Sequence, residues 1–121
     1  MELYREEILE HYRKPHNSGT LEGADIVQHE QNTTCGDILT FYLNMEDDKV
    51  KEVMFEGEGC AISQAAASML TDEIKGKTVE EVKQLTKDDI VDLLGIELGP
   101  TRLKCALLSL QGVTNAVSKT E

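Results

Sequence analysis

Three cysteines and one aspartate are the residues of this sequence whose types and positions could do chemistry. Cys35 lies in TTCGDI, Cys60 in EGEGCAIS and Cys105 in GPTRLKCALL, with Asp37 two residues after the first. The cysteines stand 25 and 45 positions apart, which excludes a CxxC redox pair and a zinc ribbon. Each sits at a boundary marked by Gly or Pro. Three thiolates and one carboxylate complete four-coordination around zinc, and thiolates equally hold an iron–sulfur cluster. The carboxylate is the harder ligand, hence the exchangeable position on a soft cluster. Glycines 36, 57 and 59 let backbone approach a bound group closely. Lys104, beside Cys105, favours thiolate there or pairs with Asp37. The alternatives are plain. A single cysteine packs as a small buried hydrophobe, Asp37 serves as a turn residue, and Lys104 is an exposed helical lysine. Spacing alone leaves both readings open. His11, His16 and His29 are too scattered to form a ligand set and read as surface or packing residues. No GxSxG, HExxH, P-loop or Rossmann pattern occurs.

The elements that must position these residues follow from periodicity. Tyr4, Ile8 and Tyr12 form one stripe of a helix over Glu2 to Lys14, with His11 beside them, ended by Pro15 and the HNSG loop. From Asp25 the period changes to two. Asp25 to Gln31 reads as a short edge strand, Ile38 to Met45 as a strand with Leu39, Phe41, Leu43 and Met45 on one face, and Val50 to Gly57 as a third. Glu46 to Lys49 is the turn between the last two. Ile62, Ala66, Met69, Leu70 and Ile74 follow helical spacing up to a stop at Gly76. The small-residue run 61–69 reads as a tightly packed core helix. Thr78 with Glu81 makes a capping box for a helix through Leu85, and Thr86 caps another to Leu94. After Gly99-Pro100, Leu103, Ala106, Leu107, Leu110, Val113 and Val117 form the strongest apolar stripe. The order predicts an α+β fold, a three-stranded antiparallel sheet with helices packed on one face.

Composition bounds the function. The 121 residues fit a single domain, 1–121. Twelve basic and 23 acidic side chains give a net charge of −11, which disfavours nucleic acid and anionic membranes and suits basic partners or metal ions. No stretch approaches the length of a membrane span, and the charged amino terminus has no apolar region of a secretory signal. With an odd cysteine count, the expectation is a reducing cytoplasm and unpaired thiols or metal thiolates.

TTCGD (33–37), FEGEGCAIS (55–63), RLKCALLSL (102–110) and the opening YREEILEHYRKPHNSG (4–19) together resemble the iron–sulfur cluster assembly scaffolds of the IscU, SufU and NifU-amino-terminal type, over nearly the whole chain. The resemblance implies the same sheet-and-helix fold. It implies that Cys35, Asp37, Cys60 and Cys105 converge at one exposed end to hold zinc or a nascent [2Fe–2S] cluster. It also implies a pyridoxal-phosphate cysteine desulfurase as sulfur donor, and acceptor iron–sulfur proteins or carriers as recipients. The sequence mixes features of the branches. Lys104 stands where IscU-type proteins carry His, as in SufU-type proteins. The 45-residue gap before Cys105 is too short for the extra segment of SufU-type proteins. Of the IscU-type LPPVK chaperone motif only Leu98 and Pro100 match, so a dedicated Hsp70 partner is not expected.

Two mechanisms follow from the resemblance. In the first, the chain is a scaffold: Cys35, Cys60 and Cys105 hold [2Fe–2S] and Asp37 is the labile fourth ligand. In the second it is a zinc-dependent sulfurtransferase, in which contact with the desulfurase frees Cys35 or Cys105 to accept persulfide, with Lys104 in support. The scaffold implies no turnover by this chain alone. A reading from another class, a structural zinc protein or interaction module, predicts inert zinc and unfolding on chelation.

Overall fold

The computed structural model describes residues 6–33 and 36–119. Its elements run α1 (Glu6–Arg13), β1 (Ile26–Asn32), β2 (Asp37–Glu46), β3 (Lys49–Glu58), α2 (Ala61–Ile74), α3 (Val79–Lys83), α4 (Lys87–Leu94) and α5 (Pro100–Ser118). The three strands form one antiparallel sheet in the order β1-β2-β3. Strand β2 is central and alternates strictly, with Leu39, Phe41 and Leu43 fully buried and their neighbours half-exposed. That is the signature of a sheet covered on one face. Helices α5 and α2 provide the cover, and α1, α3 and α4 pack around them. The α+β expectation holds.

Local chemistry explains the element ends. The β2–β3 hairpin closes through Asp47 and Asp48, both left-handed at φ 53° and 65°, as a two-residue turn between strands of right-handed twist requires. The Thr78 side chain accepts from the Glu81 N–H (3.1 Å) while the Thr78 N–H donates to Glu81 Oε1 (3.0 Å), the reciprocal capping box its sequence announces. Pro100 starts α5 as its first residue, where no N–H is needed.

Two helical faces differ from the apolar stripes. In α1 only Ile8 is buried among the described residues, and Tyr12 is exposed; Tyr4 lies outside them. His11 instead turns towards α2, its Nδ1 2.7 Å from Ser68 Oγ. In α5 the face on the sheet is Cys105, Leu108, Ser109, Gly112, Val113, Ala116 and Val117 with Ala106, while Leu103, Leu107 and Leu110 lie at the margins. Small residues set this rotation. A Cβ on Gly112 would stand 2.5 Å from the Phe41 ring, so the helix comes this close to the sheet there only because the residue is glycine.

Candidate metal centre

The site forms where three elements begin. Asp37 opens β2, in register with Asn32 at the end of β1. Cys60 is the N-cap of α2, in extended conformation at φ −72° and ψ 170°. Cys105 lies in the second turn of α5, buried against the sheet. Cys35 itself is outside the described residues. Three of the four expected ligands are described, and they meet: the ligand atoms of Asp37, Cys60 and Cys105 all lie within 4.8 Å of one another.

Asp37 is fully buried. Its Oδ1 accepts the Cys60 N–H at 3.0 Å, which fixes the start of α2 against the start of β2. Its Oδ2 is buried and has no hydrogen-bond partner among the described residues. A buried carboxylate oxygen left unpaired is costly, so its presence marks a position made for a cation. Cys60 contributes no side-chain cap to its helix, and Cys60 itself is exposed. The Ser63 hydroxyl donates to the Cys60 carbonyl at 3.0 Å and sits 3.9 Å from its sulfur. Ligands around tetrahedral zinc stand roughly 3.3–3.8 Å apart. Side-chain adjustment of about an ångström therefore closes the observed set on a metal. One soft exposed sulfur, one soft buried sulfur and one orphaned carboxylate fit zinc or a thiolate-bound iron cluster.

Glycine is required here by space. A Cβ on Gly59 would lie 2.4 Å from both Asp37 Oδ1 and Ser63 Oγ, and one on Gly57 would lie 2.0 Å from the Ile38 carbonyl oxygen. The glycines next to Cys60 thus let the α2 start close down on Asp37.

Lys104 is placed otherwise than as a partner of Asp37. It is exposed, and no ion pair joins it to a carboxylate among the described residues. It lines a recess of about 350 Å³ with Gln31, Asn32, Thr33, Leu107, Leu108 and Gln111. The histidines take packing and surface roles, as their scatter suggests. The His11 and His16 rings lie tilted against each other, with centroids 4.4 Å apart. His16 Nδ1 lies 2.5 Å from Asp72 Oδ2, and its backbone N–H donates to Ser68 Oγ at 2.8 Å. Asn17 adds bonds to Thr71 and Asp72. The pair clasps α1 and its following loop onto α2, and His29 stays apart, bonded to Thr40. Burial and the neighbouring His16 push the His11 ring below its ordinary value. Burial acts to raise Asp72, but hydrogen bonds from His16 and Asn17 outweigh it and hold the carboxyl low.

Residue types gave no sign of Glu30. It is buried, and accepts amide N–H groups from Gln28 (2.5 Å), Gln111 (2.8 Å) and Asn115 (3.1 Å). Only the register of α5 over β1 brings these together, and no local pattern encodes that register.

With this geometry, comparison with known proteins is direct. The NifU-like N-terminal domain family matches residues 3–121, and the chain belongs to that family. It is 39% identical to the zinc-dependent sulfurtransferase SufU of Bacillus subtilis, over 98% of this chain and 92% of that protein. That alignment has 136 positions for a chain of 121, so at least 15 of them face gaps in this chain. It is 33% identical to the iron–sulfur cluster assembly scaffold protein IscU 1 of Archaeoglobus fulgidus, over 95% of this chain and 74% of that one. A solved structure from Fervidobacterium islandicum, described as an iron–sulfur cluster assembly scaffold protein for the SUF system, superposes with a TM-score of 0.78. It is 31% identical and covers 94% of this chain and 96% of its own. No helix among the described residues is long and apolar enough to cross a membrane.

Proposed function

We propose that this chain is an iron–sulfur cluster assembly scaffold. It receives sulfur from a cysteine desulfurase, assembles a transient [2Fe–2S] cluster on Cys35, Asp37, Cys60 and Cys105, and passes it to acceptor or carrier proteins in the cytoplasm. The observation that carries this reading is the unpartnered buried Asp37 Oδ2 beside the sulfurs of Cys60 and Cys105. Thiolates supply the tight, soft ligands; the carboxylate supplies one that lets go. Exposed Cys60 keeps the site open to exchange, unlike the closed shell of a structural zinc site. The name of the Archaeoglobus relative supports the same assignment.

A second reading, zinc-dependent sulfur transfer, is favoured by Lys104 and by the 39% identity to a protein named for that activity. In it the same four residues hold zinc, and a freed thiolate at Cys35 or Cys105 attacks the outer sulfur of the desulfurase's persulfide. The sulfur moves across and the donor leaves as thiolate.

Anaerobic incubation with ferrous iron, cysteine and a cysteine desulfurase, with and without one zinc per chain, separates the two. Growth of a thiolate-to-iron charge-transfer spectrum that Cys60→Ser abolishes supports the scaffold. Retained zinc, no spectrum and faster cysteine turnover by the desulfurase support sulfur transfer. Neither response, with unfolding on chelation, returns the chain to a structural zinc protein.

A further inference from the structure

Three fully buried hydroxyls in the helices make the same bond. Ser63 Oγ donates to the Cys60 carbonyl at 3.0 Å, Thr71 Oγ1 to the Ser68 carbonyl at 2.8 Å and Ser109 Oγ to the Ala106 carbonyl at 2.9 Å. Each reaches back three residues, which satisfies a helical hydroxyl where water cannot. Ser63 differs in its surroundings, because two residues of the metal centre meet it. Cys60 Sγ lies 3.9 Å from Ser63 Oγ, and no other side chain among the described residues makes a hydrogen bond to that sulfur. A Cβ on Gly59 would lie 2.4 Å from both Ser63 Oγ and Asp37 Oδ1, so the hydroxyl and the carboxylate border the same small space. The Cys60 carbonyl does not depend on Ser63, since it also accepts the Gln64 N–H at 3.2 Å. The hydroxyl can leave it without orphaning a backbone acceptor.

Protons set the polarity of the Cys60–Ser63 pair. With a thiol at Cys60, the S–H faces the Ser63 oxygen and the Ser63 O–H faces the carbonyl. A metal takes the sulfur as thiolate, and the thiol proton goes to solvent. The sulfur is then an acceptor only, beside an oxygen whose proton points elsewhere. Rotation about the Ser63 C–O bond restores the pairing. We infer that Ser63 is a positioning residue of the metal centre: its buried hydroxyl donates a hydrogen bond to the Cys60 thiolate and holds that sulfur towards Asp37 and Cys105. The role rests on the metal centre proposed above, and it answers a need particular to Cys60. That residue is exposed, so water competes for its sulfur on one side while Ser63 is the fixed donor on the other. Outer hydrogen bonds of this kind orient metal ligands. Those made to sulfur are among the levers that set the reduction potential of an iron–sulfur cluster, so the same bond tunes any cluster the site carries.

Cobalt(II) added to the metal-free full chain reads this bond. A hydrogen bond lowers the energy of the thiolate lone pairs, and its loss moves the sulfur-to-cobalt band to longer wavelength. Ser63→Ala should shift that band to longer wavelength at an unchanged one cobalt per chain. Ser63→Thr keeps a hydroxyl and should keep the wild-type band. Ser63→Val has the shape of the Thr variant without its hydroxyl and should shift as Ser63→Ala does. The Thr and Val variants therefore isolate the hydroxyl even where added volume at this buried position costs stability. Thr71→Val removes the equivalent bond further along α2. It should lower the melting temperature and leave the band in place. A band unmoved in Ser63→Ala, and alike in the Thr and Val variants, overturns the role of Ser63 and leaves the metal centre standing. An equal shift in Thr71→Val marks a general loosening of α2 and overturns it as well. A chain that binds no cobalt overturns the metal centre itself, and the role of Ser63 with it.

Discussion

Asp37 faces Cys60 with one oxygen and no described partner with the other: Oδ1 accepts the Cys60 N–H at 3.0 Å, and Oδ2 is buried and unbonded. The same carboxylate thus builds the site and remains a ligand in reserve. The structural bond explains why Asp37 is held at full burial, and the orphaned oxygen explains what the burial is for.

This relationship predicts opposite effects on stability and on metal. Asp37→Asn keeps an acceptor for the Cys60 N–H and removes an unpaired buried charge, so the metal-free protein should melt higher. Its zinc should be lost about 10–100 times faster, the usual scale for a weakened ligand environment. Asp37→Ala should also fold, with the same loss of zinc retention. Thermal melts of the metal-free proteins and zinc release to a chromogenic chelator measure the two effects. An Asp37→Ala chain that fails to fold would contradict the exchangeable-ligand role.

Gly59→Ala puts a methyl group 2.4 Å from Asp37 Oδ1 and Ser63 Oγ. Overpacking of this kind costs about 1–3 kcal/mol, and here the strain falls on a ligand. Lowered melting temperature together with substoichiometric zinc is expected by calorimetry and metal analysis.

Gly112→Ala tests the complementary case. Its new Cβ meets the Phe41 ring at about the same distance, 2.5 Å, but in the α5–sheet contact. Destabilisation of about 1–3 kcal/mol should come with zinc stoichiometry unchanged, because α5 is displaced at its middle rather than at Cys105. Urea unfolding and metal analysis of the same sample decide this.

The clasp of α1 on α2 predicts a pH dependence. The folded state holds His11 below its ordinary value of 6.5, so the unfolded chain binds the extra proton more readily. Stability from the neutral ring is therefore present in full above pH 6.5 and drains as pH falls through the lowered folded value. Asp72, also held low, loses its contribution only further down, below its ordinary 3.8. Urea midpoints should fall between pH 7.5 and pH 5.5 in the wild type, and less so in His11→Gln. Equal slopes in the two proteins would remove His11 from the account.

How much of this was legible depended on whether a signal was local. Strand β2 announced itself because Leu39, Phe41 and Leu43 alternate with polar residues, and the Thr78–Glu81 box is written in four consecutive positions. The grouping of Asp37, Cys60 and Cys105 was legible through residue type and the family motifs. The approach of Cys60 to Asp37 depends on Gly59, whose role is one of space rather than pattern. The α5 stripe was legible at Ala106, Val113 and Val117, which are buried, but the count favoured Leu107 and Leu110, which are only partly so, and passed over Gly112 and Ala116. Glu30 and the His11–His16 pair were invisible for a related reason. Their partners lie 81 and 85 positions away for Glu30, and 57 for His11, so only the packed fold brings them together.

The central claim is that Asp37, Cys60 and Cys105 converge on one metal. Cobalt(II) titration of the metal-free chain tests it most directly, since sulfur-to-cobalt absorption counts thiolates on the ion and the visible bands report tetrahedral geometry. The account predicts one tetrahedral cobalt per chain, a loss of sulfur-to-cobalt intensity in each of Cys60→Ser and Cys105→Ser, and altered visible bands with the sulfur intensity kept in Asp37→Asn. Unchanged spectra in both cysteine variants would contradict it.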